Sequence, residues 1–241
     1  MNQNEQIPSG VLLVDKAQDM TSHDVVAIAR RSLGIKKIGH CGTLDPMATG
    51  LLMLVVGKAT KIQDLLMSED KEYVGTLSLG ATTTTQDAKG EIIEEKPYDE
   101  VSEEQVREAF EQFTGDFEQI PPMVSAIKKD GVPLYKLARQ GKEVVREPRA
   151  IYVTGYELTR IAIPEVDFVV QCSKGFYVRT YAHDIGARLG CGGHLSALRR
   201  TRSGKFTLER AIGVDQLKNA ERGELLNSMV SLAEISLMRG A

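Results

Sequence analysis

Residues 39–56 read Gly39-His40-Cys41-Gly42-Thr43-Leu44-Asp45-Pro46-Met47-Ala48-Thr49-Gly50, followed directly by Leu51-Leu52-Met53-Leu54-Val55-Val56. The first twelve residues hold three glycines and a proline and predict a loop. The apolar run after them predicts a buried strand. Glycine permits backbone conformations closed to other residues, and proline fixes the direction in which the chain leaves. An aspartate between such hinges, feeding a buried strand, is held rigidly where a cleft can use it. The other reading is an ordinary Asp-Pro turn whose carboxylate bonds nearby N–H groups. On composition alone that plainer reading wins.

Outward from this stretch, Gly10-Val11-Leu12-Leu13-Val14 reads as a second buried strand. Ser22 and Asp24 open a helix through Val25, Val26, Ile28, Ala29 and Leu33, with Gly34 suited to its end. Lys58 to Met67 looks helical, and Glu72 to Leu79 alternates as a strand. Ser102-Glu103-Glu104-Gln105 fits a capping box for a helix to about Phe113. Ile151–Leu158 and Val166–Ser173 read as strands, Thr180–Leu189 as a helix, and Asp215 onward as one or two short helices. Strands and helices alternate without a βαβ rhythm. The expected class is α/β (α+β), a mixed, largely antiparallel central sheet flanked by helices.

The chain has 241 residues, 42% apolar and 26% charged, which excludes collagen, coiled coil and wholesale disorder. The longest apolar run, Leu51–Val56, falls far short of the roughly 20 residues that span a bilayer. Met1–Gln6 has neither the basic nor the apolar region of a signal peptide. Three cysteines, Cys41, Cys172 and Cys191, argue against a disulfide framework and for a reducing, cytoplasmic setting. Net charge is −3, but it is unevenly spread. Asp87–Glu118 carries twelve acids against three bases, while Lys128–Arg149 carries seven bases against three acids. Arg188–Arg210 is also basic, as is the cluster Arg30, Arg31, Lys36 and Lys37. On charge alone these are solvated faces.

Several motifs fail. Gly57-Lys58-Ala59-Thr60 lacks the upstream glycine and the hydroxyl residue of a phosphate loop. Cys191-Gly192-Gly193-His194 lacks the second ligand pair that zinc needs. The pairs His23-Asp24 and His183-Asp184 leave a metal-dependent phosphohydrolase as a rival, in a chain with four histidines in all. A non-catalytic RNA-binding or chaperone protein, which would use the basic segments but not Asp45, is the other rival.

The whole string from Gly39 to Gly50 resembles the catalytic loop of the bacterial tRNA pseudouridine-55 synthases. Other family-like segments follow in order: Gly10–Lys16, Asp70-Lys71-Glu72-Tyr73, Gly115–Ala126, Ser173–Thr180 and Leu195–Arg200. The resemblance spans about residues 10–215. It implies the pseudouridine-synthase fold, with a catalytic domain over 1–215 and an RNA-gripping insertion at 128–150. Residues 216–241 are then a short helical tail rather than a full C-terminal RNA-binding domain.

The resemblance also implies roles. Asp45 is the nucleophile that acts on uridine 55 of the tRNA T loop, a carboxylate being able to attack covalently and leave again. Arg179 is the cation that keeps it ionised despite burial. Tyr73 stacks on the target base and assists in removing the C5 proton, while Tyr177 and Leu198 line the uracil pocket. His40 fills the gap left by the flipped nucleotide. Lys61 contacts phosphate, and Lys16 supports the loop. Lys128, Lys129, Lys136, Arg139 and Lys142 become candidate phosphate contacts, which reverses the reading of their charge. The reaction needs no cofactor and no metal. The partner is the tRNA T-stem and T-loop, with no membrane, no obligate protein partner, and a monomer expected. Three positions depart from the pattern: Ala17 for proline, Asp19 for glycine and Cys41 for threonine or alanine. If the family's glycine has a positive φ, Asp19 can take its place at some cost, since aspartate tolerates the left-handed conformation better than most residues.

Overall fold

The computed structural model describes residues 7–240, so the expectation about Met1–Gln6 lies outside the described residues. The chain divides into two compact units, one of residues 1–71 and 199–241, the other of residues 72–198.

In the first unit, the strand Gly10–Lys16 runs antiparallel to Thr49–Val56, pairing Gly10 with Val56 and Lys16 with Gly50. Its other edge takes the short strand Ile212–Gly213 in parallel and Val230–Ser231 antiparallel. Both strands are apolar almost throughout because both faces are covered. Val11, Leu13, Leu51, Met53 and Val55 pack with Leu66, Phe206 and Ile235 in one buried cluster. Each such fully buried Val or Leu contributes about 1.5–3 kcal/mol relative to an exposed one. The helix Ser22–Leu33 buries Val25, Val26, Ile28, Ala29 and Leu33 and packs against the helix Val214–Asn219. Gly34 ends it at φ 65°, as its lack of a side chain allows.

The helix opens at Ser22 as expected, and Thr21 before it is the cap, exchanging bonds with Asp24 in a capping box. Two other local expectations change here. The segment read as loop contains a strand, Ile38–Cys41, paired antiparallel to Thr49–Val56. Four residues are too few to show a period, and Gly39 hides the signal further. Lys58–Met67 is a 3-10 turn, Gly57–Ile62, and then a short helix, Gln63–Met67. The Thr60 hydroxyl bonds the Gly57 carbonyl at 2.9 Å, a local alternative to the helical ladder. Toward the C-terminus there are three short helices, Val214–Asn219, Arg222–Asn227 and Leu232–Arg239.

In the second unit the strands Lys71–Leu79, Glu165–Cys172, Arg149–Ala162 and Gly115–Gln119 lie side by side in that order, and the start of Gly193–Ser203 borders the first of them. The last two joins are antiparallel. Lys71–Leu79 and Glu165–Cys172 alternate buried and exposed residues, as the pleat requires. Their buried side meets the helices Glu103–Gln112 and Val178–Arg188 through Phe110, Phe168 and Tyr181, whose rings lie 5.5–5.9 Å apart. Ser102 caps the first helix with Gln105 in the expected capping box. Between Lys128 and Arg149 the chain forms a two-stranded ribbon, Lys128–Lys129 with Val132–Pro133, and the helix Leu134–Ala138.

Among the described residues no helix is long and apolar enough to cross a membrane.

Candidate active site

Asp45 sits in the connection between the antiparallel strands Ile38–Cys41 and Thr49–Val56, and it is half-buried. The loop is fixed from three directions. From the helix side, the buried Ser22 hydroxyl accepts the Leu44 N–H at 2.9 Å and donates to the Leu44 carbonyl at 3.2 Å. From the first strand, Lys16, fully buried, donates to the carbonyls of Ala17 at 2.9 Å, Met20 at 2.8 Å and Pro46 at 3.4 Å. From the Gly193–Ser203 strand, the buried Arg200 donates Nε to the Leu51 carbonyl at 2.7 Å and Nη2 to the Gly42 carbonyl at 3.1 Å. Inside the loop the Ala48 N–H meets the Asp45 carbonyl at 3.0 Å, and the Asp19 N–H meets Pro46 at 2.8 Å. Asp19 adopts φ 60°, the left-handed conformation expected of it.

Burying Lys16 lowers its pKa to about 8, and the Asp45 carboxylate opposes that fall more than any other group. The loop aspartate therefore shares its surroundings with a buried ammonium. His40, on the strand leading into the loop, is pushed down to about 4, chiefly by burial and then by His23 and Arg200. It is a neutral ring at pH 7, edge-on to His23 with centroids 5.4 Å apart. Its buried Nδ1 has no hydrogen-bond partner. Cys41 is pushed up to about 12 by burial, so it is an inert apolar thiol within the core cluster. Lys61 is exposed on the 3-10 turn.

The second unit holds Tyr73, Tyr177, Arg179 and Leu198. Tyr73 and Leu198, both buried, lie on strands that border one another. Arg179 is 4% exposed, in the first turn of the helix Val178–Arg188. Its guanidinium donates to the carbonyls of Thr85 at 2.9 Å and Val124 at 2.7 Å, and Nε stands 3.8 Å from Asp87. Asp87 is also buried and accepts from the Thr85 hydroxyl at 2.6 Å and the Lys89 N–H at 3.0 Å. Tyr177 is held by the buried Gln119 amide, which accepts its N–H at 2.8 Å and donates to its carbonyl at 3.1 Å. Lys128, Lys129, Lys136, Arg139 and Lys142 are all exposed on the ribbon, the short helix and the chain just after it.

Ser22, Arg200, Asp87 and Gln119 were not singled out by sequence reasoning. Gln119 and Arg200 fall inside quoted segments, but no local pattern distinguishes a buried polar side chain from a solvated one.

Asp24 and His194, each part of a remaining motif, find plain structural uses. Asp24 belongs to the capping box, and its bonds to Thr21 hold its carboxyl below the usual range. His194 Nδ1 lies 3.1 Å from the Ala81 carbonyl. Among the described residues no three His, Cys, Asp or Glu side chains gather as a metal site would require.

Two family models match the chain. TruB family pseudouridylate synthase (N terminal domain) covers residues 30–178, and tRNA pseudouridylate synthase B C-terminal domain covers residues 179–237. The chain is 58% identical over 209 residues to a tRNA pseudouridine synthase B of Opitutus terrae, covering 87% of each protein. It is 49% identical to that of Syntrophotalea carbinolica, over 92% of this chain and 73% of the relative. Among solved structures it is similar to a chain in a Cbf5-Nop10-Gar1 complex, with TM-score 0.73, 30% identity, and 97% and 63% of the two chains covered. A chain of an H/ACA RNP bound to a substrate RNA containing 2'-deoxyuridine gives TM-score 0.66 at 30% identity, with 89% and 54% covered. This chain thus spans 54–63% of the length of those solved chains. With the N-terminal family model matching 149 of 241 residues, and the glycine-hinged Asp45 loop within that match, the chain belongs to the TruB family of pseudouridylate synthases.

Proposed function

We propose that this enzyme isomerises uridine 55 in the T loop of tRNA to pseudouridine, with Asp45 as nucleophile on a flipped-out uridine. The observation that carries the reading is the Asp45 loop itself. It is clamped through the backbone carbonyls of Pro46 and Gly42 by two buried cations, Lys16 and Arg200, which fix the backbone that carries the carboxylate. A nucleophile fixed in advance avoids the entropy of finding its geometry at the moment of reaction.

The reaction breaks the bond between ribose C1′ and uracil N1, turns the base, and forms a bond from C1′ to C5. The C5 proton is lost and N1 gains one, so the step is balanced without an electron carrier. The carboxylate bonds to the substrate at C1′ or at C6 and leaves again. In this reading Tyr73 stacks on the base, Tyr177 and Leu198 line its pocket, and Arg179 is the cation for the carboxylate. The neutral His40 ring fills the stack that the uridine leaves, offsetting part of the few kcal/mol that extrusion costs. Lys61 and the exposed bases of residues 128–150 take phosphates of the T-stem and T-loop. The reading makes residues 1–215 catalytic and 216–241 a helical tail, and has the enzyme act as a cytoplasmic monomer.

The test is release of tritium from C5 of uracil in an unmodified tRNA transcript, followed by mapping of the product to the T-loop position. Release that maps elsewhere would overturn the choice of uridine 55.

A further inference from the structure

One basic cluster has no part in the account so far. Lys36 and Lys37 follow the helix Ser22–Leu33 and precede the strand that carries His40. They border a cavity of about 600 Å³ lined by Ile7, Pro8, Gly34, Ile35, Lys36, Lys37 and Arg222. Among the described residues the lining holds three cations and no acid. Its backbone is fixed: the Gly57 N–H bonds the Lys37 carbonyl at 2.9 Å, and the Ile38 N–H bonds that of Lys36 at 3.1 Å. Arg222 reaches in from another helix, its Nε on the Leu33 carbonyl at 2.8 Å, which satisfies the helix end and leaves the rest of the guanidinium at the cavity. Among the described residues no acid pairs with Lys36, Lys37 or Arg222. Three cations gathered around a concavity without a counter-charge attract a polyanion.

We infer that the mouth formed by Lys36, Lys37 and Arg222 is a second RNA-binding surface, taking phosphodiester backbone outside the nucleotides handled at the Asp45 loop. The inference rests on the reading that the substrate is RNA. Lys37 stands immediately before the strand Ile38–Cys41, three positions from His40, so at the rise of a strand at most about 10 Å separates them. A strand of RNA whose target nucleotide is handled at the loop can therefore lay its neighbouring backbone on this surface. Contacts of this kind position the RNA and carry no sequence information.

The test compares the wild type, Lys36→Gln/Lys37→Gln, and the control Lys96→Gln/Lys218→Gln, which changes the net charge equally at exposed lysines elsewhere. Binding to unmodified tRNA transcript is measured from 0.05 to 0.3 M salt, with tritium release alongside. The Lys36/Lys37 variant is expected to bind roughly tenfold more weakly at 0.1 M salt, its salt slope smaller by about two and its kcat at saturating RNA unchanged. The control keeps the wild-type slope. Equal slopes in the two variants, with the wild type active, would overturn the inference. Binding without any tritium release by the wild type would instead overturn the proposed function, and the slope difference would still decide the surface.

Discussion

A Cβ placed on Gly50 would stand 2.3 Å from the carbonyl oxygen of Arg200, and Gly50 itself has φ 97°. The two residues face each other where the Gly193–Ser203 and Thr49–Val56 strands run in parallel. The Arg200 side chain then turns back to the carbonyls of Gly42 and Leu51. One arginine thus closes both ends of the segment that presents Asp45, and this close approach depends on the missing side chain.

Gly50→Ala is expected to destabilise the protein by about 2–5 kcal/mol, from left-handed backbone strain together with overpacking against another strand. Denaturant unfolding measures it. A loss below 1 kcal/mol would show that the two strands move apart cheaply and that the loop is not clamped as described.

Lys16 sets a pH dependence of stability. Its folded pKa of about 8 lies below the ordinary value of 10.5. Below pH 8 both folded and unfolded states carry the proton, and the fold bears the full cost of burying the charge. Between pH 8 and 10.5 the folded state has lost the proton while the unfolded chain keeps it, so Lys16's contribution to stability rises with pH. The difference in Tm between wild type and Lys16→Met should therefore shift in favour of the wild type across that window. Parallel curves from pH 8 to 10.5 would refute the depressed pKa.

Asp87 and Arg179 form a buried pair at 3.8 Å, and Arg179 also holds two backbone carbonyls. Arg179→Ala therefore costs stability as well as turnover, because it strands Asp87 and leaves buried acceptors unmet. Asp87→Asn is the cleaner probe. It keeps the shape and an acceptor for Thr85 and removes the charge beside Arg179. Single-turnover rates should fall about 10- to 100-fold, the effect of weakening a charged hydrogen-bond network by roughly 1.5–3 kcal/mol, and the melting temperature should fall as well, though less than in Arg179→Ala, which also strands two backbone carbonyls. Full activity in Asp87→Asn would separate Asp87 from the site.

What the sequence discloses here depends on range. The helix from residue 22, its glycine stop at 34 and the Ser102–Gln105 capping box are legible because neighbouring residues decide them, whereas the left-handed Asp19 is legible only against the family pattern. The significance of the Asp45 loop is legible only from the whole string and its resemblance, since an Asp-Pro turn alone reads as a cap. The clamps are not legible. Ser22 bonds Leu44, 22 positions away, and Arg200 bonds Gly42, 158 positions away. Asp87 counts among twelve acids in an acidic block, and nothing near it in the chain marks it as the buried one.

The most direct test of the account incubates wild type and Asp45→Ala with an unmodified tRNA transcript carrying tritium at uracil C5, in the presence of chelator. The account predicts release by the wild type and none by a variant that remains folded and still binds the transcript. Release by Asp45→Ala at a rate near wild type would contradict the assignment of the nucleophile on which the mechanism rests.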